Sequence, residues 1–276
     1  MTNASTAPSS GRPMTAPGEV AGRPKLVVRY PTTEGHIAAL LPPGLEPWGA
    51  PIVQIGIYCV PVHGEPEHGV STKIPATFQG IDGMYCLGIG IDQESAVFVS
   101  RETNGQPKFP CSVRYFRLGD EVHASCTHQG HTFLSYDGTV SAAQAGDADH
   151  DGAELEENEW WIKVSRAVGG VEHAYDFPPH VVRVRSAGVR TFTETLDGDV
   201  VLRDSPWDPY TALLPMTGDA TAELVTTRHT AREISLAGPL DPDGFWPHAD
   251  TIGGSRWPGD RGGPRAATYE HEGALR

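Results

Sequence analysis

Lysine is the scarcest charged residue in this chain, and its amine is the side-chain group best suited to attack a carbonyl. Of 21 basic residues only four are lysine: Lys25, Lys73, Lys108 and Lys163. Arginine carries most of the positive charge, so each lysine is a stronger candidate for chemistry than in an average protein. The attacking form is neutral, and at the usual pKa of about 10.4 only about 0.1% is neutral near pH 7.4. A reactive lysine must therefore be desolvated or lie beside another cation.

A second cluster of reactive residue types lies at 123–131, where the sequence is HASCTHQGH. Imidazole and thiolate groups at such close spacing are typical of metal sites. The segment has a strand pattern, however, and residues an odd number apart in a strand point to opposite faces. His123 and His128 are five positions apart, so we predict no metal site here.

The acidic segment 145–159 contains part of a calcium-loop pattern. Asp147, Asp149, Asp151 and Gly152 match its positions 1, 3, 5 and 6, but Asn158 stands where position 12 requires glutamate. A solvated acidic loop is the favoured interpretation, and calcium binding is the alternative.

The overall composition excludes several function classes. A net charge of −14 and a pI of about 5.2 argue against a basic nucleic-acid surface. The sequence has no run of 18 apolar residues, no secretory signal pattern and no CxxC pair. It also lacks nucleotide-binding and metalloprotease motifs. We expect a cytoplasmic protein with reduced cysteines, no cofactor or metal, and no nucleic-acid or membrane partner.

The hydrophobic pattern predicts one β-rich domain at 23–252, between a disordered tail at 1–22 and a Gly/Arg-rich tail at 253–276. A short helix is predicted at Gly35–Leu41, and a polar loop at 64–69. Strands are predicted at 25–30, 51–62, 72–79, 84–91, 95–99, 111–117, 120–127, 130–140, 160–168, 181–196, 200–204 and 220–236. Many short strands with Gly and Pro turns favour an antiparallel β barrel or sandwich.

Three stretches together resemble the acetoacetate decarboxylase superfamily. They are GRPKLVVRYPTTEGHIAALLPPGLE at 22–46, IPATFQGIDGMY at 74–85 and RETNGQPK at 101–108. Weaker similarity continues to about residue 250. The resemblance implies an α+β, mostly β fold: an antiparallel barrel or cone with a few short helices. It also implies a homo-oligomer that acts on a small keto acid.

The resemblance implies a role for individual residues as well. Lys108 follows the family's proline and would form a Schiff base with the substrate. Arg23, before the first strand, would bind a substrate carboxylate, bidentate where geometry allows. Gln106 is a candidate for hydrogen bonding to a substrate oxygen. Arg101 and Glu102 would form an ion pair that supports the lysine loop.

The departures from the family pattern concern the groups around the nucleophile. Phe109 stands where the decarboxylases have a second lysine, and Gly56 and Gly69 stand where they have two glutamates. Glu67 or Glu65 is a candidate to replace the second glutamate. The sequence therefore keeps the lysine of the family pattern but lacks several of the charged residues that accompany it in the decarboxylases.

The leading prediction is therefore a Schiff-base lyase for a 2-oxo or 3-oxo acid, of aldolase or dehydratase type rather than a simple decarboxylase. One alternative is decarboxylation of acetoacetate or another β-keto acid. A non-catalytic barrel that binds a small molecule is the alternative from another class.

Overall fold

The computed structural model describes residues 24–62, 64–144, 154–249, 251–252 and 254–259. Its strands are β1 (Lys25–Pro31), β2 (Ile52–Val62), β3 (Glu65–Phe78), β4 (Ile81–Ile91), β5 (Lys108–Pro110), β6 (Ser112–Leu118), β7 (Glu121–His128), β8 (His131–Gln144), β9 (Glu154–Arg166), β10 (Tyr175–Leu202) and β11 (Thr221–Pro239). Its helices are α1 (Glu34–Leu40), α2 (Glu94–Asn104), α3 (Tyr210–Leu213) and α4 (Pro242–Ala249). The predicted class, mostly β with a few short helices, is confirmed.

Seven strands form a ring. Neighbouring strands pair in the order β11-β1-β2-β3-β4-β9-β10, and β10 pairs back with β11. Every junction in the ring is antiparallel except β4–β9, which is parallel. The end of β10 continues into a second sheet through β8, β7 and β6. The short strand β5 adds to β4 in parallel.

The two faces of the ring have different partners. One face, with residues such as Leu26, Ile55 and Ile74, belongs to a large apolar core shared with β6–β8, α1 and α4. Because the second sheet and these helices cannot lie within a seven-stranded ring, this face is the outer one. The alternating residues form the inner face, where Ile89, Ile91, Trp161 and Val184 pack together with Val97 of α2.

Two local predictions were wrong. Residues 95–99 were predicted as a strand, but they lie in α2, which ends at Gly105 with a left-handed φ of 70°. A short apolar run such as AVFV fits either element, and here the glycine cap decides for a helix. Residues 65–69, predicted as loop, form the start of β3 and pair with β2 at Val60↔Glu67 and Tyr58↔Gly69.

The C-terminal part of the described chain packs into the domain. Trp257 is 1% exposed and belongs to the main core. The backbone amide of Arg256 donates to the carbonyl of Leu87 at 2.5 Å, which ties this segment to β4. The domain thus extends beyond the predicted boundary at residue 252, at least to Gly259. The predicted tail at 1–22 lies outside the described residues.

The four cysteines, Cys59, Cys86, Cys111 and Cys126, are all buried, and none of them forms a disulfide. The predicted reduced state therefore agrees with their geometry. None of the described helices has the length and apolar character needed to cross a membrane.

Replacement of Trp257 by alanine tests whether the C-terminal segment is part of the core. We expect Trp257→Ala to lower the free energy of unfolding by about 3–5 kcal/mol, because it opens a cavity in a closed core. Trp48→Ala is the matched control. Because Trp48 is 40% exposed, its replacement should lower the free energy of unfolding by less. Urea unfolding followed by circular dichroism measures both. Equal losses in the two variants would show that the segment does not stabilise the domain.

Candidate functional site

Lys108 is held at the start of β5 by the backbone on both sides. Gly105 ends α2, and a side chain there would collide with β9, because a Cβ would lie 2.5 Å from the carbonyl oxygen of Ile162. The chain then turns so that the amide of Lys108 donates to the carbonyl of Gln106 at 2.8 Å. The amide of Ile89 donates to the carbonyl of Pro107 at 2.9 Å, which fixes β5 against β4.

The Lys108 side chain lies on the inner face of the ring. Its register partner on β4 is Ile89, which belongs to the inner-face apolar cluster. The Nζ atom of Lys108 is 3.5 Å from Oε2 of Glu67, and the two side chains are 10% and 4% exposed. Glu65 is exposed on the same strand, so Glu67 is the carboxylate that reaches the lysine. The structure thus brings together two of the residues singled out from the sequence.

Side chains from five further positions share this inner face with Lys108 and Glu67. We name the whole group the interior cluster: Lys25, Tyr58, Glu67, Lys73, Cys86, Lys108 and Glu159. They come from β1, β2, β3, β4, β5 and β9. Sequence reasoning singled out only Lys108 and Glu67, since the others become neighbours only when the ring is formed.

Lys73 and Glu159 form the second ion pair of the interior cluster. Their Nζ and Oε2 atoms are 2.5 Å apart, and the indole of Trp161 donates to Oε1 of Glu159 at 2.6 Å. Burial disfavours both charges, but each charge stabilises the other. The pKa of Lys73 is therefore raised and that of Glu159 lowered from their usual values. Both side chains stay ionised near neutral pH.

Arg101 supports the lysine strand through the backbone. Its guanidinium donates to the carbonyl oxygen of Lys108 at 2.9 Å and also to the carbonyl of Gly254. The expected ion pair with Glu102 was wrong. Glu102 is exposed, and its carbonyl accepts a hydrogen bond from Lys163. Neighbouring residues on a helix face in different directions, which is why the two side chains separate.

Phe109 lies on the outer face, opposite to Lys108, because successive strand residues alternate. Its ring centroid is 4.4 Å from that of His128, and Nδ1 of His128 is 2.9 Å from Oδ2 of Asp208. His128 and Asp208 are both buried. Phe109 therefore anchors β5 to the core behind the lysine, and it adds no apolar wall to the space around the amine.

The remaining predicted positions fall in three groups. Gln106 is buried beside Lys108, while Arg23 lies outside the described residues. The segment 123–131 has a half-buried His123 paired with Asp137 and a fully buried His128, on opposite faces as expected. Most of the acidic loop at 145–159 lies outside the described residues. In the part of the chain that the structure describes, no three His, Cys, Asp or Glu residues could together hold a metal ion.

Comparison with known protein families identifies the family of this chain. The family model for acetoacetate decarboxylase matches residues 3–236, which is most of the chain. The chain belongs to the acetoacetate decarboxylase family. The resemblance seen in the three sequence stretches is therefore confirmed, and membership supports an enzyme of the lyase type. No curated protein is significantly similar to the chain in sequence.

Solved structures of the acetoacetate decarboxylase fold align with most of this family member. Acetoacetate decarboxylase from Legionella pneumophila gives a TM-score of 0.68 at 14% identity, covering 79% of this chain and 86% of that one. An acetoacetate decarboxylase-like enzyme from Sphingomonas wittichii gives 0.61 at 17% identity, covering 79% and 91%. The enduracididine biosynthesis enzyme MppR, complexed with the condensation product of pyruvate and imidazole 4-carboxaldehyde, gives 0.59 at 16% identity, covering 79% and 88%. At these identities the likeness shows the fold alone.

Replacement of Arg101 tests its role in holding the lysine strand. We expect Arg101→Met to lower the free energy of unfolding by about 1.5–3 kcal/mol, because it leaves two backbone carbonyls without their charged donor. Arg185→Met is the control, since Arg185 forms a bidentate but exposed pair with Glu156 and should cost at most about 1 kcal/mol. Chemical denaturation measures both. A larger loss for Arg185→Met would contradict the assignment.

Proposed function

We propose that this protein is a Schiff-base lyase that acts on a 2-oxo or 3-oxo acid, with Lys108 as the nucleophile. The observation that carries the proposal is the Lys108 amine, buried on the inner face of the ring and accompanied by the Glu67 carboxylate. Membership in the acetoacetate decarboxylase family supports the same reaction class. Gln106 and Arg23 remain the proposed ligands for a substrate oxygen and a substrate carboxylate.

Glu67 is placed to move the proton that Schiff-base formation requires. In the proposed step, the carboxylate accepts a proton from the Lys108 ammonium, and the neutral amine attacks the substrate carbonyl. The same carboxyl group then returns the proton to the carbinolamine hydroxyl, which leaves as water. A carboxylate within a few ångströms of the amine is suited to both transfers. The product is an iminium ion that draws electrons from the adjacent carbon.

Within this class we propose aldol or dehydration chemistry ahead of decarboxylation. Phe109, at the position of the family's second lysine, lies on the outer face. Gly56 and Gly69 supply no carboxylates to the inner face, where Lys25 and Tyr58 fill the space instead. MppR was solved with the condensation product of pyruvate and imidazole 4-carboxaldehyde, and we extend condensation chemistry to this chain as part of the proposal. Family membership favours decarboxylation of a β-keto acid as the second candidate.

The assembly and location of the protein are also part of the proposal. We propose a homo-oligomer in the cytoplasm that binds a small keto acid and needs no cofactor.

A covalent trap tests the nucleophile. With pyruvate and borohydride, the peptide that contains Lys108 should gain the mass of the substrate less one oxygen. Lys108→Arg should abolish this adduct, because a guanidinium stays protonated and cannot attack a carbonyl. Peptide mass spectrometry locates the label, and Lys163→Met serves as a control with one lysine fewer. Equal labelling of Lys163, or no labelling with several keto acids, would favour the non-catalytic binding barrel.

A substrate comparison tests the reaction class. Acetoacetate should release carbon dioxide slowly or not at all, since the groups that would assist loss of the carboxylate are absent from positions 56, 69 and 109. Pyruvate with an aldehyde, or an unsaturated 2-oxo acid, should react faster. Carbon dioxide release and the absorbance of the condensation product measure the two reactions. Efficient decarboxylation of acetoacetate would favour the second candidate.

A further inference from the structure

The Lys25 side chain leaves β1 and crosses the neighbouring strand β2 at Gly56. A Cβ atom added to Gly56 would lie 2.1 Å from Cε and 2.6 Å from Nζ of Lys25. It would also lie 3.2 Å from Oγ of Ser71 on β3. A glycine is therefore needed at position 56 for the Lys25 amine to reach across β2 toward β3.

The crossing brings the amine to the same row of the sheet as Lys108. Gly56 pairs with Ser71, Ser71 pairs with Ile89, and Ile89 pairs with Lys108. Since register partners share a face, this row on the inside of the ring holds the Lys25 amine at one end and the backbone of Lys108 at the other. The Lys108 amine itself leans along the inner face toward Glu67, which lies four residues from Ser71 on β3.

Lys25 differs from the other two lysines of the interior cluster in forming no salt bridge with a carboxylate of the described residues. Lys108 is 3.5 Å from Glu67 and Lys73 is 2.5 Å from Glu159, but no described carboxylate forms a salt bridge with Lys25. The charged groups that act on Lys25 are Arg29 on its own strand, Lys73 on β3, and Glu157 and Glu159 on β9. Arg29 is itself paired with Glu223 on β11.

The surroundings of Lys25 favour its neutral form. Burial, and after it the ammonium of Lys73, lower the pKa of Lys25 to about 8, while Glu159 acts in the opposite direction. About a fifth of the amine is then neutral near pH 7.4, compared with about 0.1% for a free lysine. A general base is most effective when its pKa lies near the working pH, so an amine with this pKa is suited to catalysis near neutral pH.

Tyr58 supplies a donor beside Lys25. Its ring lies over Gly69, where a Cβ atom would be 2.4 Å from the phenol oxygen. Burial, and then the Glu67 carboxylate, raise the pKa of Tyr58 well above its usual value, so the phenol keeps its proton. Gly56 and Gly69 thus leave room on the inner face of the ring for the amine of Lys25 and the phenol of Tyr58.

We propose that Lys25 is a second catalytic residue: in its neutral form it removes the proton from the substrate carbon next to the Lys108 iminium. The proposal deepens the proposed function and rests on it. It gives the ring the carbon-acid base that an aldolase or dehydratase needs, and it identifies the substrate as a keto acid with a hydrogen on that carbon.

The proton and electron pairs balance within the two lysines and the substrate. Lys25 Nζ takes the proton from C3 of a 2-oxo acid, and the C3–H electron pair forms the C2=C3 double bond. The C2=N π electrons return to the Lys108 nitrogen, so the iminium becomes a neutral enamine. C3 then attacks an aldehyde, and the Lys25 ammonium returns its proton to the new alkoxide.

Solvent exchange of pyruvate protons measures this step without an aldehyde. In deuterium oxide, the wild-type protein should exchange the pyruvate methyl protons at a rate that rises with pH around a value of about 8. Proton NMR follows the exchange, and Lys108→Arg gives the background rate. Borohydride trapping of the same samples reports iminium formation separately.

Three variants separate the possible roles of Lys25. Lys25→Met and Lys25→Arg should both keep the Lys108 adduct and lose exchange by about 100-fold or more, because neither offers a neutral amine. Gly56→Ala should lose exchange as well, since its methyl displaces the flexible end of Lys25, while Oγ of Ser71 at 3.2 Å needs only a small shift. Lys163→Met should exchange like the wild type.

The outcomes distinguish failure of this inference from failure of the proposed function. No Lys108 adduct in the wild type would overturn the proposed function and this inference with it. An adduct with wild-type exchange in Lys25→Met would overturn the inference alone. Exchange retained in Lys25→Arg but lost in Lys25→Met would also overturn it and make Lys25 a charge that binds the carboxylate. Borohydride labelling of Lys25 itself would make it a nucleophile.

Discussion

The free-energy cost of burying charged side chains inside a ring of strands constrains the whole of this structure. Moving an ammonium or a carboxylate out of water costs several kcal/mol for each ion unless a partner offsets it. The interior cluster has three lysines and two glutamates, and the two glutamates accompany Lys108 and Lys73. The odd number leaves Lys25 as the group whose protonation is least supported. With Lys25 neutral, two lysines face two glutamates, and the formal net charge of the interior cluster is zero.

Glycine and strand alternation decide which groups enter the ring. Gly56 and Gly69 cost stability in a strand because they bury no side chain, but they leave room for the ends of Lys25 and Tyr58. Alternation on β5 sends Lys108 inward and Phe109 outward, so one strand carries both the proposed nucleophile and the residue that anchors it to the core. The family's second lysine position therefore has no direct access to the inner face in this protein.

Much of the fold follows from the sequence, because β2, β4 and β7 have clear apolar patterns and turn residues at their ends. Lys108 could be identified by the motif around it. The helix α2 could not be predicted, since its apolar run fits a strand equally well unless its packing is known. Lys25 could not be identified because its position depends on the register of β1 with β2. Glycines inside apolar strands were the available signal, since they mark places where another group approaches the backbone closely.

The Arg101 guanidinium links β5, the strand that contains Lys108, to the segment around Gly254, which is far along the chain. It joins the carbonyl of Lys108 to that of Gly254, and the second contact spans 153 positions of sequence. Contacts between distant positions must overcome a large loop-closure entropy, so they tend to form late in folding. We expect the strand of Lys108 to become rigid only after the rest of the ring has closed, and pulse-labelled hydrogen exchange would detect an earlier event. During synthesis, β5 and Lys108 would therefore become ordered only after nearly all of the domain has been made. An incomplete chain would contain the lysine but would not hold it in a fixed orientation.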